Sequence, residues 1–335
     1  MNPRRWLAAA LVVALIIGAG YMAYAAALGG DYLVTAASTA GCQTPADQFG
    51  WSYEAINYDI TDDSTLHERN DDLTSCADQG SKAGDEVVTD DGARIAGWYI
   101  PAANGAGPTA PTIVLVHGFR TNKSGILHYA AGLHDEYNLV AFDLQNAGRS
   151  TGDKTTAGVL EQRDLRAVID WLVRTKGPDH IGVLGNSLGA ATALAEAVGD
   201  DRVDALVLDS MHTRLRYQVE ARVQQEYHQP AYPATWAVLA GASLKAGVDV
   251  SSVDPDDVVA RYDRRPMLLL HGTADTQDEP VRTQAFVAAA KARGITVELQ
   301  WCPDSGHNAP AGMPADVCQD QYADWLRDFF GRAFD

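Results

Sequence analysis

The stretch IGVLGNSLG at residues 181–189, followed directly by the alanine-rich run AATALAEA at 190–197, decides how the rest of the chain is interpreted. It predicts a short buried strand, a sharp turn and a helix, with Ser187 at the bend. The turn has the form G-x-S-x-G, in which Gly185 and Gly189 let strand and helix approach closely while the serine adopts a strained backbone conformation. A serine held in this way is exposed at the end of its strand, so Ser187 is a candidate nucleophile. A merely structural tight turn would carry the same pattern, and the surrounding chain has to decide between the two.

The surrounding chain alternates between apolar runs and helical patterns. Uninterrupted apolar runs at 113–116, 139–142 and 267–270 predict parallel strands covered on both faces, because a strand with one solvated face would alternate in polarity. The segment 203–209 is predicted as another strand of the same series. The helical patterns between them place apolar side chains on one face, as in 165–172. We therefore predict the α/β class, with a mostly parallel sheet and helices on both of its faces.

The segment at about 210–262 interrupts this alternation and is too long for an ordinary connection in a compact domain. It contains two or more helical patterns, and we interpret it as a helical cap inserted over the site, within a domain that covers 86–335. Its aromatic side chains would then offer an uncharged surface to acyl or aryl groups. The alternative is an ordinary helical excursion whose aromatics fill its own core. The aromatic residues concerned are Tyr217, Tyr227, Tyr232 and Trp236.

A serine hydroxyl is a weak nucleophile at neutral pH, so it needs a base within hydrogen-bond reach and a carboxylate that orients the base. His307 is the candidate base, because it follows the last predicted strand and comes after the carboxylates at the strand ends. Two carboxylates compete for the role of acid: Asp209 at the end of one strand and Asp275 just beyond the next. We favour Asp275, because Gly272 lets its turn swing toward the site; Asp209 would then cap or pair locally.

The negative charge that develops on a substrate carbonyl oxygen needs at least two donors already directed at it. The backbone amide of Leu188, directly after the candidate nucleophile, is one candidate. The amide of Phe119, in the loop that follows His117, is the other, and the His117 ring is expected to hold that loop in place. Two roles are open for Arg120 beside the loop: contact with an anionic substrate end, and an exposed ion pair.

Five motifs occur in one order along the chain: HGF at 117–119, DLQNAGRS at 143–150, GNSLG at 185–189, HGTAD at 271–275 and GH at 306–307. With these motifs, the chain from about Val87 to the C-terminus resembles the α/β-hydrolase superfamily, particularly serine hydrolases of the esterase, lipase and serine-aminopeptidase-like type.

This resemblance implies an α/β-hydrolase fold with Ser187 as nucleophile, Asp275 as orienting acid and His307 as general base. It also implies an oxyanion hole formed by the amides of Phe119 and Leu188, and no dissociable cofactor. Two departures stand against the usual pattern. The segment after Asp275 is one residue longer and more acidic, and the first 85 residues lie outside the resemblance.

The leading expectation for activity is hydrolysis of a carboxylic ester or thioester in a small acyl substrate, through an acyl-Ser187 intermediate. Peptide hydrolysis and acyl transfer to an alcohol are alternatives on the same machinery, because fold and triad do not select the leaving group. A catalytically silent binding module of the cell envelope is the alternative outside enzymology. A dehalogenase or epoxide hydrolase is disfavoured, because those enzymes would have a carboxylate in place of Ser187.

The N-terminal residues predict export. Arg4 and Arg5 precede an uncharged apolar stretch from Trp6 to Leu28, which is long enough for a spanning helix of about 20 residues. We favour an uncleaved single-pass anchor over residues 1–30, with the catalytic domain outside the cytoplasmic membrane. A signal peptide cleaved at the small residues around Ala25, giving a secreted protein, is the alternative. Residues 31–85 are interpreted as an extracytoplasmic extension.

The four cysteines agree with an oxidising compartment. Their clustering predicts two disulfides, Cys42 with Cys76 and Cys302 with Cys318. Zinc is disfavoured, because the spacing contains no C-x-x-C pair, and no metal is expected. The net charge of −18 argues against nucleic acid as a partner, since two polyanions repel each other. The oligomeric state is not determined by these patterns.

Overall fold

A computed structural model describes residues 3–35, 42–57, 81–82, 86–263, 265–307 and 313–335. Within these residues the chain builds one nine-stranded sheet. The strands are β1 Glu54–Ile56, β2 Ser81–Lys82, β3 Gly97–Ile100, β4 Thr112–Val116, β5 Asn138–Phe142, β6 Ile181–Asn186, β7 Ala205–Asp209, β8 Met267–Gly272 and β9 Val297–Cys302. The α-helices are α1 Pro3–Thr35, α2 Pro45–Phe49, α3 Lys123–Ile126, α4 Glu161–Thr175, α5 Leu188–Ala197, α6 Leu215–Gln225, α7 Ala231–Ala246, α8 Pro255–Val258, α9 Pro280–Ala292, α10 Pro314–Val317 and α11 Gln319–Phe334.

The strand order in the sheet is β2-β1-β3-β5-β4-β6-β7-β8-β9. The pairs from β5 to β9 are all parallel, whereas β3 runs antiparallel to both β1 and β5. This confirms the prediction of a mostly parallel sheet. Because β4, β6, β7, β8 and β9 share one direction, their carboxyl ends meet at one edge of the sheet, where a ligand site is expected in open α/β folds.

Both faces of the sheet are covered, as the apolar runs predict. Alternate residues of β4 enter different core clusters, with Val114 and Val116 on one side and Ile113 and Leu115 on the other. Helix α4 closes the first side with the apolar face that its spacing predicts. On the opposite side α11 contributes a second apolar face. The fold-class prediction, helices on both faces, is therefore confirmed.

The N-terminal helix α1 extends past the predicted anchor boundary at residue 30 and ends on the domain at Thr35. Its part from Ala10 to Thr35 is long and apolar enough to cross a membrane, a property that a signal sequence shares. At its end, Gly30 lies so close to Gly241 of α7 that a Cβ on Gly30 would be 2.6 Å from the Gly241 carbonyl carbon. The end of α1 is thus a packed part of the domain.

The segment interpreted as an extension contributes β1 and β2, which continue the sheet beyond β3. The segment interpreted as a cap contains α6, α7 and α8. A disulfide joins Cys302 to Cys318, with a Cα–Cα distance of 5.9 Å. Cys76 lies outside the described residues, so the pairing of Cys42 with Cys76 stays a prediction.

Candidate active site

Ser187 lies in the turn between β6 and α5 with φ 52° and ψ −113°, a backbone conformation that residues other than glycine rarely adopt. Neither of the two glycines around it has room for a side chain. A Cβ on Gly185 would lie 2.3 Å from the carbonyl oxygen of Gly189, and a Cβ on Gly189 would lie 2.1 Å from that of Val116. The turn itself is held by a 2.8 Å hydrogen bond from the Ser187 amide to the Asp209 carbonyl oxygen. The G-x-S-x-G spacing therefore follows from how closely strand and helix pass.

Three side chains from separate loops meet at the carboxyl edge of the sheet. Ser187 Oγ lies 2.9 Å from His307 Nε2, and His307 Nδ1 lies 2.9 Å from Asp275 Oδ2. If Nδ1 carries the ring proton and donates it to the carboxylate, Nε2 presents its lone pair to the serine hydroxyl. The His307 side chain is 8% exposed and that of Asp275 is fully buried, so bulk water competes little with these hydrogen bonds.

The longer acidic segment after Asp275 folds into a turn that holds this carboxylate. Its Oδ1 accepts hydrogen bonds from the amides of Gln277 at 2.8 Å and Asp278 at 3.0 Å, which leaves Oδ2 for His307. Burial acts to raise the pKa of Asp275, but the hydrogen bond from His307 and the proximity of His307 and His271 outweigh it and lower the pKa below its usual value. The carboxylate is therefore ionised at neutral pH and can stabilise a positive charge on the His307 ring.

Asp209, the competing acid, is bound elsewhere. Its Oδ2 accepts a 2.7 Å hydrogen bond from the Tyr322 hydroxyl and its Oδ1 accepts one of 2.7 Å from Ser210 Oγ. Burial raises the pKa of Asp209 to about 6, against the lowering effect of these two donors. Asp209 thus pairs locally, which was the alternative role named for it.

A second buried carboxyl, Asp278, lies behind the Asp275 turn and was not singled out from the sequence. Burial raises its pKa to about 8, and the neighbouring Asp275 carboxylate adds to the effect. The Asp278 carbonyl oxygen lies 2.9 Å from His271 Nε2, and that ring nitrogen is 3.6 Å from Asp275 Oδ2. The extra acidic residue in this segment was a sequence signal that could have pointed to Asp278. The burial of its side chain depends on tertiary packing and cannot be derived from that signal.

Hydrogen bonds of the His117 ring hold the loop that carries Phe119. The amide of Leu144 donates to His117 Nε2 at 3.0 Å, while His117 Nδ1 donates to the Gly118 carbonyl oxygen at 2.8 Å. Beneath them Lys123 and Asp143 form a fully buried ion pair at 2.5 Å. His117 therefore positions the loop, as expected from its place at the strand end.

A cavity of about 680 Å³ opens beside the serine, a size suited to a small-molecule ligand. The candidate nucleophile, the base, and both candidate oxyanion residues border it. The cap supplies an aliphatic wall, and the end of α1 supplies another wall that was not predicted from the sequence. Of the cap aromatics, only Tyr227 borders the cavity; Tyr232 and Trp236 are exposed and pack on each other with ring centroids 4.8 Å apart. The aliphatic cap residues at the cavity are Leu215, Val219, Val223, Val238 and Val250, next to the polar Gln218 and Arg222 of α6; the α1 residues are Gly29, Tyr32 and Leu33.

Comparisons with known proteins agree with this architecture. A family described as "alpha/beta hydrolase fold" matches residues 111–239. The uncharacterized protein Rv2307c of Mycobacterium tuberculosis (strain ATCC 25618 / H37Rv) is 34% identical over 251 residues, covering 73% of this chain and 80% of that protein. The uncharacterized protein YqkD of Bacillus subtilis (strain 168) is 30% identical over 171 residues, covering 50% of this chain and 56% of that protein.

Among solved structures, the Pyrococcus furiosus esterase Pf2001 superposes with a TM-score of 0.66, covering 90% of this chain and 98% of that chain. Its sequence identity of 20% makes this a likeness of fold alone. Three findings lead to one assignment: the nine-stranded, mostly parallel sheet, the family match across its centre, and the relatives whose similarity extends beyond that match. The chain belongs to the α/β-hydrolase superfamily.

Proposed function

We propose that this chain is a serine hydrolase that cleaves carboxylic ester or thioester bonds through an acyl intermediate on Ser187. In this proposal His307 is the general base and Asp275 is the acid that orients it. The observation that carries the proposal is the continuous pair of 2.9 Å hydrogen bonds from Ser187 Oγ through the His307 ring to Asp275 Oδ2. Hydrolase chemistry is also supported by the shared fold of an enzyme named as an esterase.

In the first half of the reaction, His307 Nε2 takes the hydroxyl proton while Ser187 Oγ attacks the substrate carbonyl carbon. The carbonyl oxygen becomes negative, and the amides of Leu188 and Phe119 are proposed to donate to it. Leu188 is the first residue of α5, so its amide has no acceptor within the helix. The tetrahedral species then expels the alcohol or thiol, which receives the proton from His307.

In the second half, a water molecule gives its proton to His307 Nε2 and attacks the acyl carbon. The second tetrahedral species releases the carboxylic acid, and the proton returns to Ser187 Oγ. Throughout, Asp275 keeps the ring in the orientation that leaves Nε2 directed at the serine, and its negative charge stabilises the protonated ring. In Ser-His-Asp triads, replacing the aspartate by asparagine reduces turnover by about four orders of magnitude.

Peptide hydrolysis and acyl transfer use the same steps with a different leaving group or acceptor. Ester or thioester cleavage is favoured for this chain by the cavity, whose cap wall is aliphatic and suits an acyl chain. We further propose that α1 anchors the protein in the cell membrane with the catalytic domain outside the cytoplasm. Support comes from the exposed apolar side chains of α1 between Leu11 and Ile17 and from the Cys302–Cys318 disulfide.

The test uses the full-length protein in detergent, with Ser187→Ala as the inactive variant. A fluorophosphonate probe should label the wild type at Ser187 and leave the variant unlabelled. Wild type should hydrolyse 4-nitrophenyl esters of short acids, and the variant should lose this activity by at least about a thousandfold. Cleavage of aminoacyl anilides without esters would indicate a peptidase. A folded wild type that is neither labelled nor active would indicate a silent binding module and refute the proposal.

A further inference from the structure

Two arginines border the active-site cavity, and no carboxylate does so among the described residues. Arg120 follows the loop of the proposed oxyanion hole, and Arg222 comes from the cap helix α6. The chain as a whole carries 44 acidic residues against 26 lysines and arginines, so random surface composition would place acids in this cavity wall more often than arginines. The local charge of the cavity is thus opposite to the charge of the protein.

The two guanidinium groups converge on one neutral side chain, Tyr32 at the end of α1. Arg120 Nη1 donates to the Tyr32 hydroxyl at 3.1 Å, and Arg222 Nη1 donates to the same oxygen. Their central carbons lie 5.4 Å and 4.8 Å from the centroid of the Tyr32 ring. Two cations held around one phenol repel each other, and a neutral oxygen compensates this repulsion much less than an anion would.

The hydrogen-bonding capacity of the two arginines is only partly used. Arg120 Nε is buried and has no acceptor among the described residues. Arg222 Nε has one carboxylate partner, Glu226 at 3.2 Å, whose side chain is 52% exposed and faces solvent. Both guanidinium groups therefore have hydrogen-bonding capacity left for a planar anion such as a carboxylate, which guanidinium groups bind with paired hydrogen bonds.

We propose that Arg120 and Arg222 form an anion-binding subsite of the cavity, and that the substrate is an acyl ester or thioester that carries a carboxylate group. This inference rests on the proposed function and names the substrate class of the same site. The aliphatic cap wall takes the acyl chain, and the two arginines take the charged group at the α1 side. Tyr32 holds the guanidinium groups near each other until the anion enters between them.

The experiment compares matched ester pairs on the full-length protein in detergent. One pair places the charge on the acyl side: mono-4-nitrophenyl adipate against 4-nitrophenyl hexanoate. The other places it on the leaving group: 4-carboxyphenyl hexanoate against phenyl hexanoate. In at least one pair, wild type should prefer the anionic member by about tenfold or more in kcat/KM, since charge-assisted hydrogen bonds to two arginines are gained. This preference should decrease as salt is added.

Arg120→Gln and Arg222→Gln should each lower kcat/KM for the preferred anionic ester about tenfold more than for its neutral partner, with the difference mainly in KM. The control is Arg216→Gln, which removes an exposed cation of the same helix whose guanidinium lies on Tyr217 outside the cavity. It should leave both members of each pair unchanged. Tyr32→Phe removes the shared hydroxyl and should retain the preference for the anionic ester.

Two results would overturn the inference. In one, wild type hydrolyses the charged and neutral members of both pairs equally well. In the other, the arginine variants lose activity toward neutral and anionic esters alike, which would mean that the arginines only hold α1 on the domain. Failure of the proposed function is distinguishable from both, because wild type would then hydrolyse no ester and fluorophosphonate would not label Ser187.

Discussion

The buried carboxyl of Asp278 shows how a single side chain next to the site connects stability with pH. Its side chain is fully buried, and burial together with Asp275 raises its pKa to about 8, while Arg282 acts in the opposite direction. At pH 7 the group is protonated in the folded protein and ionised in the unfolded chain. Its favourable contribution is therefore complete below the usual aspartate pKa of about 4 and is lost as the pH rises toward 8.

Asp278→Asn should remove this loss, because an amide stays neutral at all these pH values. The free energy of unfolding of the variant, minus that of wild type, should increase between about pH 4 and pH 8 and reach a few kcal/mol at the upper end, on the order expected from the pKa shift. Urea unfolding at a series of pH values measures both curves. Curves that stay parallel over this range would contradict the assignment.

The two strand-end aspartates should respond differently to the same substitution. Asp275→Asn removes the acceptor of His307 Nδ1 and should lower kcat by about 10⁴-fold while leaving the fold intact. Asp209→Asn alters only the contacts to Tyr322 and Ser210 and should cost about 1–3 kcal/mol of stability with a much smaller change in kcat. Steady-state kinetics with thermal unfolding of each variant separates the two effects. Equal losses of kcat would reopen the choice of acid.

At the scale of elements, the contact between α1 and the cap helix α7 is set by small residues. A Cβ on Gly241 would lie 2.1 Å from the Ala26 carbonyl oxygen, so the two helix backbones nearly touch. Val34 lies in the apolar core of the cap, and Asp31 pairs with Lys245 of α7. The end of α1 is thereby held where Tyr32 borders the cavity.

Gly241→Ala should push the two helices apart and loosen the α1 wall of the cavity. We expect a several-fold increase in KM for esters with longer acyl chains, with fluorophosphonate labelling of Ser187 retained. The matched control is Gly20→Ala in α1, where an added Cβ meets nothing within 4 Å. If both variants behave like wild type, the close helix contact is not needed for the cavity.

The disulfide between Cys302 and Cys318 closes a loop of sequence separation 16 that contains His307. By the entropy of loop closure, it should stabilise the folded state by about 3 kcal/mol. Replacing both cysteines by serine should lower the free energy of unfolding by about this amount and reduce kcat, since the loop that carries the base gains freedom. Denaturant unfolding with and without a reducing agent provides the measurement; reductant should affect wild type more than the variant.

For the whole molecule, α1 has two parts with different roles, an apolar part outside the domain and a packed end. Leu15, Ile16 and Ile17 are 64%, 66% and 67% exposed, whereas Val34 is fully buried. If α1 anchors the protein as proposed, membrane retention and completion of the cavity belong to successive parts of one helix. Two deletions of different length can separate them.

Removing residues 1–28 should release the protein from the membrane fraction while Gly29, Tyr32 and Leu33 still border the cavity. Removing residues 1–35 should also release it but take away that wall, so kcat/KM for acyl esters should decrease by about tenfold or more relative to the shorter deletion. Fractionation and ester kinetics on both proteins test this. Equal activity of the two deletions would show that the end of α1 contributes nothing to the site.

The sequence by itself determined the fold class, because unalternating apolar runs and helical spacing are local patterns that report on burial. It also singled out Ser187 and His307, since a G-x-S-x-G turn and a histidine beyond the last strand can be identified without knowing any distance. The disulfide of Cys302 with Cys318 was likewise within reach, as the two residues are close along the chain. In each case the signal lies within one segment or in the order of segments.

The sequence favoured Asp275 over Asp209, but only the tertiary structure shows which aspartate meets His307, because Asp209 ends β7 and Asp275 follows the end of β8 at the same edge of the sheet. The two differ because the Tyr322 hydroxyl of α11 donates a hydrogen bond to the Asp209 carboxylate, whereas turn amides orient the Asp275 carboxylate. The sequence also did not predict the α1 wall of the cavity or the convergence of two arginines on Tyr32. These features join residues far apart in sequence, and such contacts depend on how whole elements pack, which no local pattern encodes.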